Sequence, residues 1–344
     1  MNLRNSVIFI ALPFFAACGG ESSTSSETGA GSSTTEATSE ATSEAMTDEL
    51  TTDTTGPEVD ERGCWVDLAV GEHEVLSEQF TGGSEGIAFG ADGRLFVSSD
   101  ERVWTLSATG ERTEFTAIPS AIGIARRSNN GLYVASLGEI DPKIIDGGVY
   151  VVEADGTTSL LVDGIASPNF AAVTPSGDVL ISDDFDTRVF LVTAEGGVSE
   201  AISDVPSPNG MAYSPDGAHL FVASTFTADG QLTKFDTDMS GLPIEDTARE
   251  IMHLGVASTP DGIAVDADGM VYVAANIPGE IWRVDGSVDT LTEGELVASG
   301  VANPASLAFG EGGGFDPCSL YVTQLDGARI HRVSVGAPAG LIYE

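Results

Sequence analysis

Basic residues are scarce in this chain: 14 Lys and Arg face 53 Asp and Glu, a formal net charge of -39 at pH 7. Such a surface repels phosphate backbones and anionic headgroups, which argues against nucleic-acid binding. The charge itself reads as a solvated, soluble face. Sustained helical periodicity is absent and aromatic residues make up only 7% of the chain, which points away from a helical bundle and towards many short strands. The few histidines, His73, His219, His253 and His331, fall on strands or a turn with no Ser-His-Asp arrangement, and each reads as structural or surface. A phosphate loop is missing too, since neither a Lys-Ser/Thr pair nor a helix follows Gly312, Gly313 and Gly314.

The long apolar run at the start, residues 7–15, is too short to span a bilayer and follows Arg4, the layout of a secretory signal. Phe15-Ala16-Ala17-Cys18 resembles a bacterial lipobox, so residues 1–18 read as a lipoprotein signal with Cys18 as the lipidated first residue of the mature chain. Residues 19–56 are almost entirely Ser, Thr, Glu, Ala and Gly without an aromatic residue. They cannot bury enough apolar surface to offset their ordering entropy and read as a disordered tether. As a coil it would hold the domain about 30–40 Å from the membrane, with the acyl chains on Cys18 as the anchor. Gly19 is not the Asp that marks inner-membrane retention, so the outer membrane is the expected site, at its periplasmic face or at the cell surface.

Glycine is abundant, at 41 residues, and much of it sits in turns of one recurring unit that fills residues 57–344. A first apolar strand begins at Gly86 (GIAF), Gly123 (GIAR), Phe170 (FAAV), Gly210 (GMAY), Gly262 (GIAV) and Ser306 (SLAF). Turns follow at Asp92-Gly93, Asn130-Gly131, Ser176-Gly177, Asp216-Gly217, Asp268-Gly269 and the three glycines from Gly312. The second strands match one another, from LFVSS at Leu95 to LYVTQ at Leu320, and third and weaker fourth strands come after them. Four strands per unit, six times over, predict an all-β, six-bladed β-propeller with four antiparallel strands per blade. The last unit lacks a fourth strand, and residues 73–80, HEVLSEQF, precede the first. This N-terminal strand is expected to complete blade 6 and close the ring, removing sheet edges. Cys64 and Cys318 flank that seam, and in an exported protein they read as a disulfide latch, contributing about 4 kcal/mol by loop entropy.

Aligning the units on their first strands puts Glu85, Ile122, Asn169, Asn209, Asp261 and Ala305 at one position, a ring around the channel mouth. Converging carboxylates are costly unless a cation lies between them. Glu, Asp and amide carbonyls are hard oxygen donors, suited to calcium or magnesium, and with no His or Cys in the column zinc comes second. Asp183 and Asp184, at the end of a second strand, read first as a solvated strand end and second as lining of the entrance.

The motifs SEGIAF at Ser84, SPNGMAYSPDG at Ser207, TPDGIAVDADGMVYVA at Thr259 and SLAFGEGGGFDPCSLYVT at Ser306 resemble the senescence marker protein (regucalcin)/gluconolactonase/luciferin-regenerating enzyme family, over about residues 80–336. The resemblance implies one divalent cation, calcium first, held by Glu85, Asn209 and Asp261, with Asn169 contacting substrate or water. It also implies hydrolysis of a lactone or related ester, with the metal as Lewis acid and Asp261 as general base. The family's aldonolactonases carry an Arg two residues before that Asn and an Asp just after it, where this chain has Ser167 and Phe170. The loss of the Arg weakens the case for a sugar-acid substrate, and Phe170 makes the mouth more apolar. The expected protein is therefore a monomeric, membrane-tethered, metal-dependent hydrolase of a small molecule. The alternative is a non-catalytic surface propeller that binds a protein, glycan or small molecule.

Overall fold

Twenty-four strands in six four-stranded sheets make up the regular structure of residues 56–139 and 144–344, the parts described by this computed structural model. The signal segment with Cys18, and the tether apart from Gly56, lie outside the described residues. Every sheet is antiparallel, and five of the six are ordered along the chain, as in blade 1 with Ser84–Phe89, Leu95–Ser99, Arg102–Leu106 and Arg112–Ala117. Among the described residues the only helical pieces are two three-residue 3-10 turns, Ser128–Asn130 and Glu245–Thr247, and no helix is long and apolar enough to cross a membrane. The chain is a six-bladed propeller.

Ring closure follows the sequence expectation. His73–Ser77 pairs antiparallel with Ile330–Ser334, His73 facing Val333, and supplies the outer strand of blade 6. The strand stops at Ser77; Phe80 instead turns inward to pack with Phe89, Phe315 and Tyr321. A disulfide joins Cys64 to Cys318, with their Cα atoms 5.1 Å apart, and pins the segment ahead of the closing strand to blade 6.

The second strand of each blade is enclosed by the neighbouring blades on both faces, which is why it reads as an unbroken apolar run rather than an alternating one. Leu95, Phe96 and Val97 are fully buried, as are Val271, Tyr272 and Val273. The core is a set of inter-blade layers, such as Tyr272 and Ile281 of blade 5 against Phe309, Leu320 and Val333 of blade 6.

Inner strands crowd the axis. A β-carbon on Gly123 would lie 2.3 Å from the Asn169 carbonyl oxygen, and one on Gly210 would lie 2.3 Å from that of Asp261. Glycine is what lets blades 1, 2, 4 and 5 approach the next there. Blade 3 carries Phe170 at this position, and its inner strand, Pro168–Val173, is less closely applied to Pro208–Tyr213 of blade 4 than any other neighbouring pair.

The lower end of the channel is apolar and closed by the C-terminal residues. Gly340 donates its N–H to the Val265 carbonyl, Tyr343 meets Tyr213 edge-on, and Arg126 pairs with both Glu311 and Glu344. Above this plug, Ile87, Phe89, Val173, Met211 and Leu307 line a cavity of about 150 Å³. Arg126 is its one charged lining residue, and the polar column lies at the opposite mouth.

Candidate functional site

At the upper mouth a backbone device recurs. Two residues before the column position, φ is left-handed at Ser120 (47°), Ser167 (37°), Ser207 (48°), Thr259 (44°) and Asn303 (37°). Four of these precede proline, which narrows their choices further, and each such non-glycine residue costs about 1–3 kcal/mol. Local hydrogen bonds hold the kink. The Ser207 carbonyl accepts from Thr225 N–H at 3.0 Å and its Oγ from Phe226 N–H at 3.0 Å. Thr259 does the same for Asn276 at 3.2 Å and Ile277 at 3.1 Å. The kinks present equivalent residues of different blades to one another.

Asn169 Nδ2 donates to Glu85 Oε1 at 3.4 Å, linking blades 3 and 1 across the ring. Asn209 Nδ2 donates to Thr225 Oγ1 at 3.1 Å, and that hydroxyl donates to the Pro260 carbonyl at 2.8 Å. Thr225 thereby fixes the backbone just before Asp261 and orients the Asn209 amide. Thr323 Oγ1 holds the Glu85 carbonyl in the same manner, at 2.6 Å. With its nitrogen engaged, Asn209 Oδ1 is left buried and without a partner, and so is Asp261 Oδ1. Ile122 and Ala305, the apolar members of the column, are buried.

One expectation is corrected. Asp183 and Asp184 are not a solvated strand end: they are 2% and 6% exposed. Asp184 turns toward the site because Ser207 Oγ, from the next blade, shares its proton between the Asp184 carbonyl at 2.7 Å and Oδ1 at 2.9 Å. Asp183 is turned to its own loop, where its Oδ1 accepts from Phe185 N–H at 3.2 Å and Arg188 stands 3.9 Å away.

Three carboxylates therefore share one region, Asp184 and Asp261 buried and Glu85 half-buried. Burial and the charge of Asp184 push Glu85 up to about 8, against the hydrogen bond from Asn169. Burial, opposed by Ser207, Thr225 and Asn209 and reinforced by Asp183, pushes Asp184 up to about 7. Burial, then Glu85 and Asp184, hold Asp261 well above the ordinary carboxylate range. No basic side chain offsets any of the three.

The orphaned oxygens of Asn209 and Asp261, beside uncompensated carboxylates, fit a divalent cation in their chemistry. Among the described residues no three His, Cys, Asp or Glu side chains are grouped to hold a metal by themselves. Carboxylates alone thus do not make this site; the amide oxygen of Asn209 belongs to any donor set. The histidines lie elsewhere: His219 pairs with Asp236, His253 with Glu250 and Asp229, and His331 is buried beside His73 and pushed down to about 4 by burial.

Sequence reasoning aligned the column, gave Asp184 the entrance only as a second reading, and missed Ser207 and Thr225 as members of the site. A second alignment, on the residue after each second strand, reads Asp100, Leu137, Asp184, Thr225, Asn276 and Leu325. Its polar members on blades 3 to 5 stand beside the polar members of the first column, and that is the signal that finds them.

Residues 182–326 match the family model of the SMP-30/gluconolactonase/LRE-like region, the family that the motifs resemble. The match includes Asp184, Asn209 and Asp261. No curated protein sequence matches the chain. Among solved structures, regucalcin from Agrobacterium tumefaciens, described as a calcium-binding protein, is 22% identical with a TM-score of 0.63, over 80% of this chain and 98% of that one. A gluconolactonase from Xanthomonas campestris is 21% identical with a TM-score of 0.61, over 78% and 89%. A luciferin-regenerating enzyme is 16% identical with a TM-score of 0.62, over 79% and 99%. These likenesses establish a common propeller fold.

Proposed function

We propose that the chain is a divalent-cation-dependent hydrolase of a lactone or related ester, with calcium the first choice of ion and magnesium or zinc as alternatives. The observation that carries this reading is the pair of buried, unpartnered oxygens, Asn209 Oδ1 and Asp261 Oδ1. The calcium-binding regucalcin and the gluconolactonase among its structural relatives support it. Glu85, Asn209 and Asp261 would hold the ion. When bound, it supplies the positive charge that keeps these carboxylates ionised, polarises the substrate carbonyl and stabilises its developing negative charge.

Asp261 acts as general base on an attacking water. Asn169, its amide anchored on Glu85, orients that water or the substrate. Phe170 offers the substrate an apolar contact. The water oxygen bonds to the carbonyl carbon and gives its proton to Asp261. The ring C–O bond then breaks, and Asp261 returns the proton to the departing oxygen. The product is a hydroxy acid.

The domain is carried on an exported lipoprotein, with Cys18 acylated, residues 19–56 as tether and the outer membrane as its site; it acts as a monomer. Cys18→Ser is expected to move the protein from the membrane fraction to the soluble one. The function itself is tested by screening neutral lactones and esters with and without chelator. Turnover that chelator abolishes and calcium restores is the expected result. A protein that neither binds cations nor turns over any member of the panel is instead a non-catalytic binding propeller.

A further inference from the structure

The rim above the site is two-sided. Two residues beyond the end of the second strand, blades 3, 4 and 5 carry Phe185, Phe226 and Ile277, which are 45%, 54% and 61% exposed. The equivalent residues of blades 6 and 1 are Asp326 and Glu101. Exposed apolar residues of this size are common singly, but three in register along one arc of a channel mouth call for an explanation. The blades bearing them also supply Asn169, Asn209 and Asp261.

Phe185 and Phe226 are in contact. Their rings stack with centroids 5.9 Å apart and planes within 23°, bridging the junction of blades 3 and 4. That junction is the one where Phe170 replaces the usual inner-strand glycine and the inner strands stand furthest from close contact. Both rings are tied to the site. Phe185 follows Asp184 directly, and Phe226 N–H donates to Ser207 Oγ, which itself donates to Asp184. Phe170, half-buried, packs at the same junction against the cluster that contains Met211 and Tyr213, and the stacked aromatic pair caps that junction at the surface.

From this register and stacking we propose that the site selects a neutral lactone or ester bearing a hydrophobic acyl or alkyl chain, with the reacting carbonyl at Asp261 and the chain laid on the Phe185–Phe226 pair. The proposal rests on the hydrolase reading of the same site. Charge agrees with it. The chain's net charge of -39 repels an anionic substrate and not an uncharged chain. A flat aromatic wall recognises a chain through its area and not its hydroxyls.

The test is a series of γ-lactones whose alkyl substituent grows from methyl to decyl, assayed in the full chain with calcium. The expected result is a kcat/KM that rises about two- to fourfold per added methylene until the wall is filled. In the doubly substituted Phe185→Ser, Phe226→Ser protein the ratio of long-chain to short-chain kcat/KM collapses towards one. Met239→Ser, at a fully exposed apolar residue in the turn whose Gly241 meets Pro175 and Tyr213, keeps the wild-type ratio. A ratio independent of chain length, or one unchanged in the double variant, overturns the proposal. If no lactone is turned over, calorimetry with alkyl lactams of the same lengths separates the two readings. Chain-length-dependent affinity lost in the double variant retains the apolar wall and removes the hydrolase; affinity without chain dependence removes the wall.

Discussion

Ser207 Oγ stands 2.9 Å from Asp184 Oδ1 and 2.7 Å from the Asp184 carbonyl oxygen, so one hydroxyl on blade 4 holds a carboxylate of blade 3 against the candidate site. Ser207 adopts a left-handed φ of 48° to do so, and its Oγ also accepts from Phe226 N–H. Removing the hydroxyl frees a buried carboxylate and a buried N–H together. Ser207→Ala is expected to cost about 1–3 kcal/mol of stability, read by urea unfolding.

Asp184 itself is predicted to act oppositely on the two forms of the protein. Its charge repels Glu85 and Asp261 when no cation is present and attracts one when it is. Asp184→Asn therefore stabilises the chelator-treated protein at pH 8, by about 1–2 kcal/mol, and weakens calcium binding about tenfold. Thermal unfolding with chelator and a calcium titration measure the two effects.

The pH dependence has a definite sign. Glu85 and Asp184, pushed up to about 8 and about 7, bind more protons folded than unfolded between the ordinary carboxylate range and pH 8. Unfolding free energy then falls as pH rises, because stability decreases wherever the native state holds the extra protons. Carboxylates held low by hydrogen bonds, such as Asp216 and Glu245, give their stabilisation fully above about pH 5 and leave this slope unaltered. The cation-free protein should thus be less stable at pH 8 than at pH 5.5. Saturating calcium should flatten or reverse that difference, since protons compete with the ion.

Asp261→Asn keeps the amide-like geometry but removes the base. A loss of about 10²–10⁴ in kcat for a lactone is expected, with an unfolding transition no lower than that of the wild type in chelator. Full activity in this variant would contradict the role given to Asp261.

The Cys64–Cys318 bridge closes a span of 254 residues at the ring seam. Replacing both cysteines by serine should cost on the order of 5 kcal/mol, seen as a lower urea midpoint. The calcium stoichiometry should not change, because the bridge lies apart from the upper mouth.

Most of the fold was legible in the chain because the blades repeat one solution: glycine where inner strands touch in blades 1, 2, 4 and 5, a glycine-bearing lower turn and an apolar second strand in all six. The column was legible for the same reason, since its members differ while their surroundings repeat. Asp184 was not. Its burial depends on a serine of the next blade and on a left-handed kink before proline, and neither is visible in the hydropathy of VLISDD. The wider junction of blades 3 and 4 hinges on Phe170, which announces an irregularity in sequence without saying which neighbour gives way. Phe185 and Phe226 lie 41 residues apart in different loops, and only the closed ring stacks them.

The most direct test of the account is a calcium titration by calorimetry of chelator-treated protein, wild type beside Glu85→Gln and Asn209→Ala. One ion per wild-type chain, with binding abolished or severely weakened in both variants, is the predicted result. An absence of binding in the wild type, or isotherms that the two substitutions leave unchanged, would contradict it.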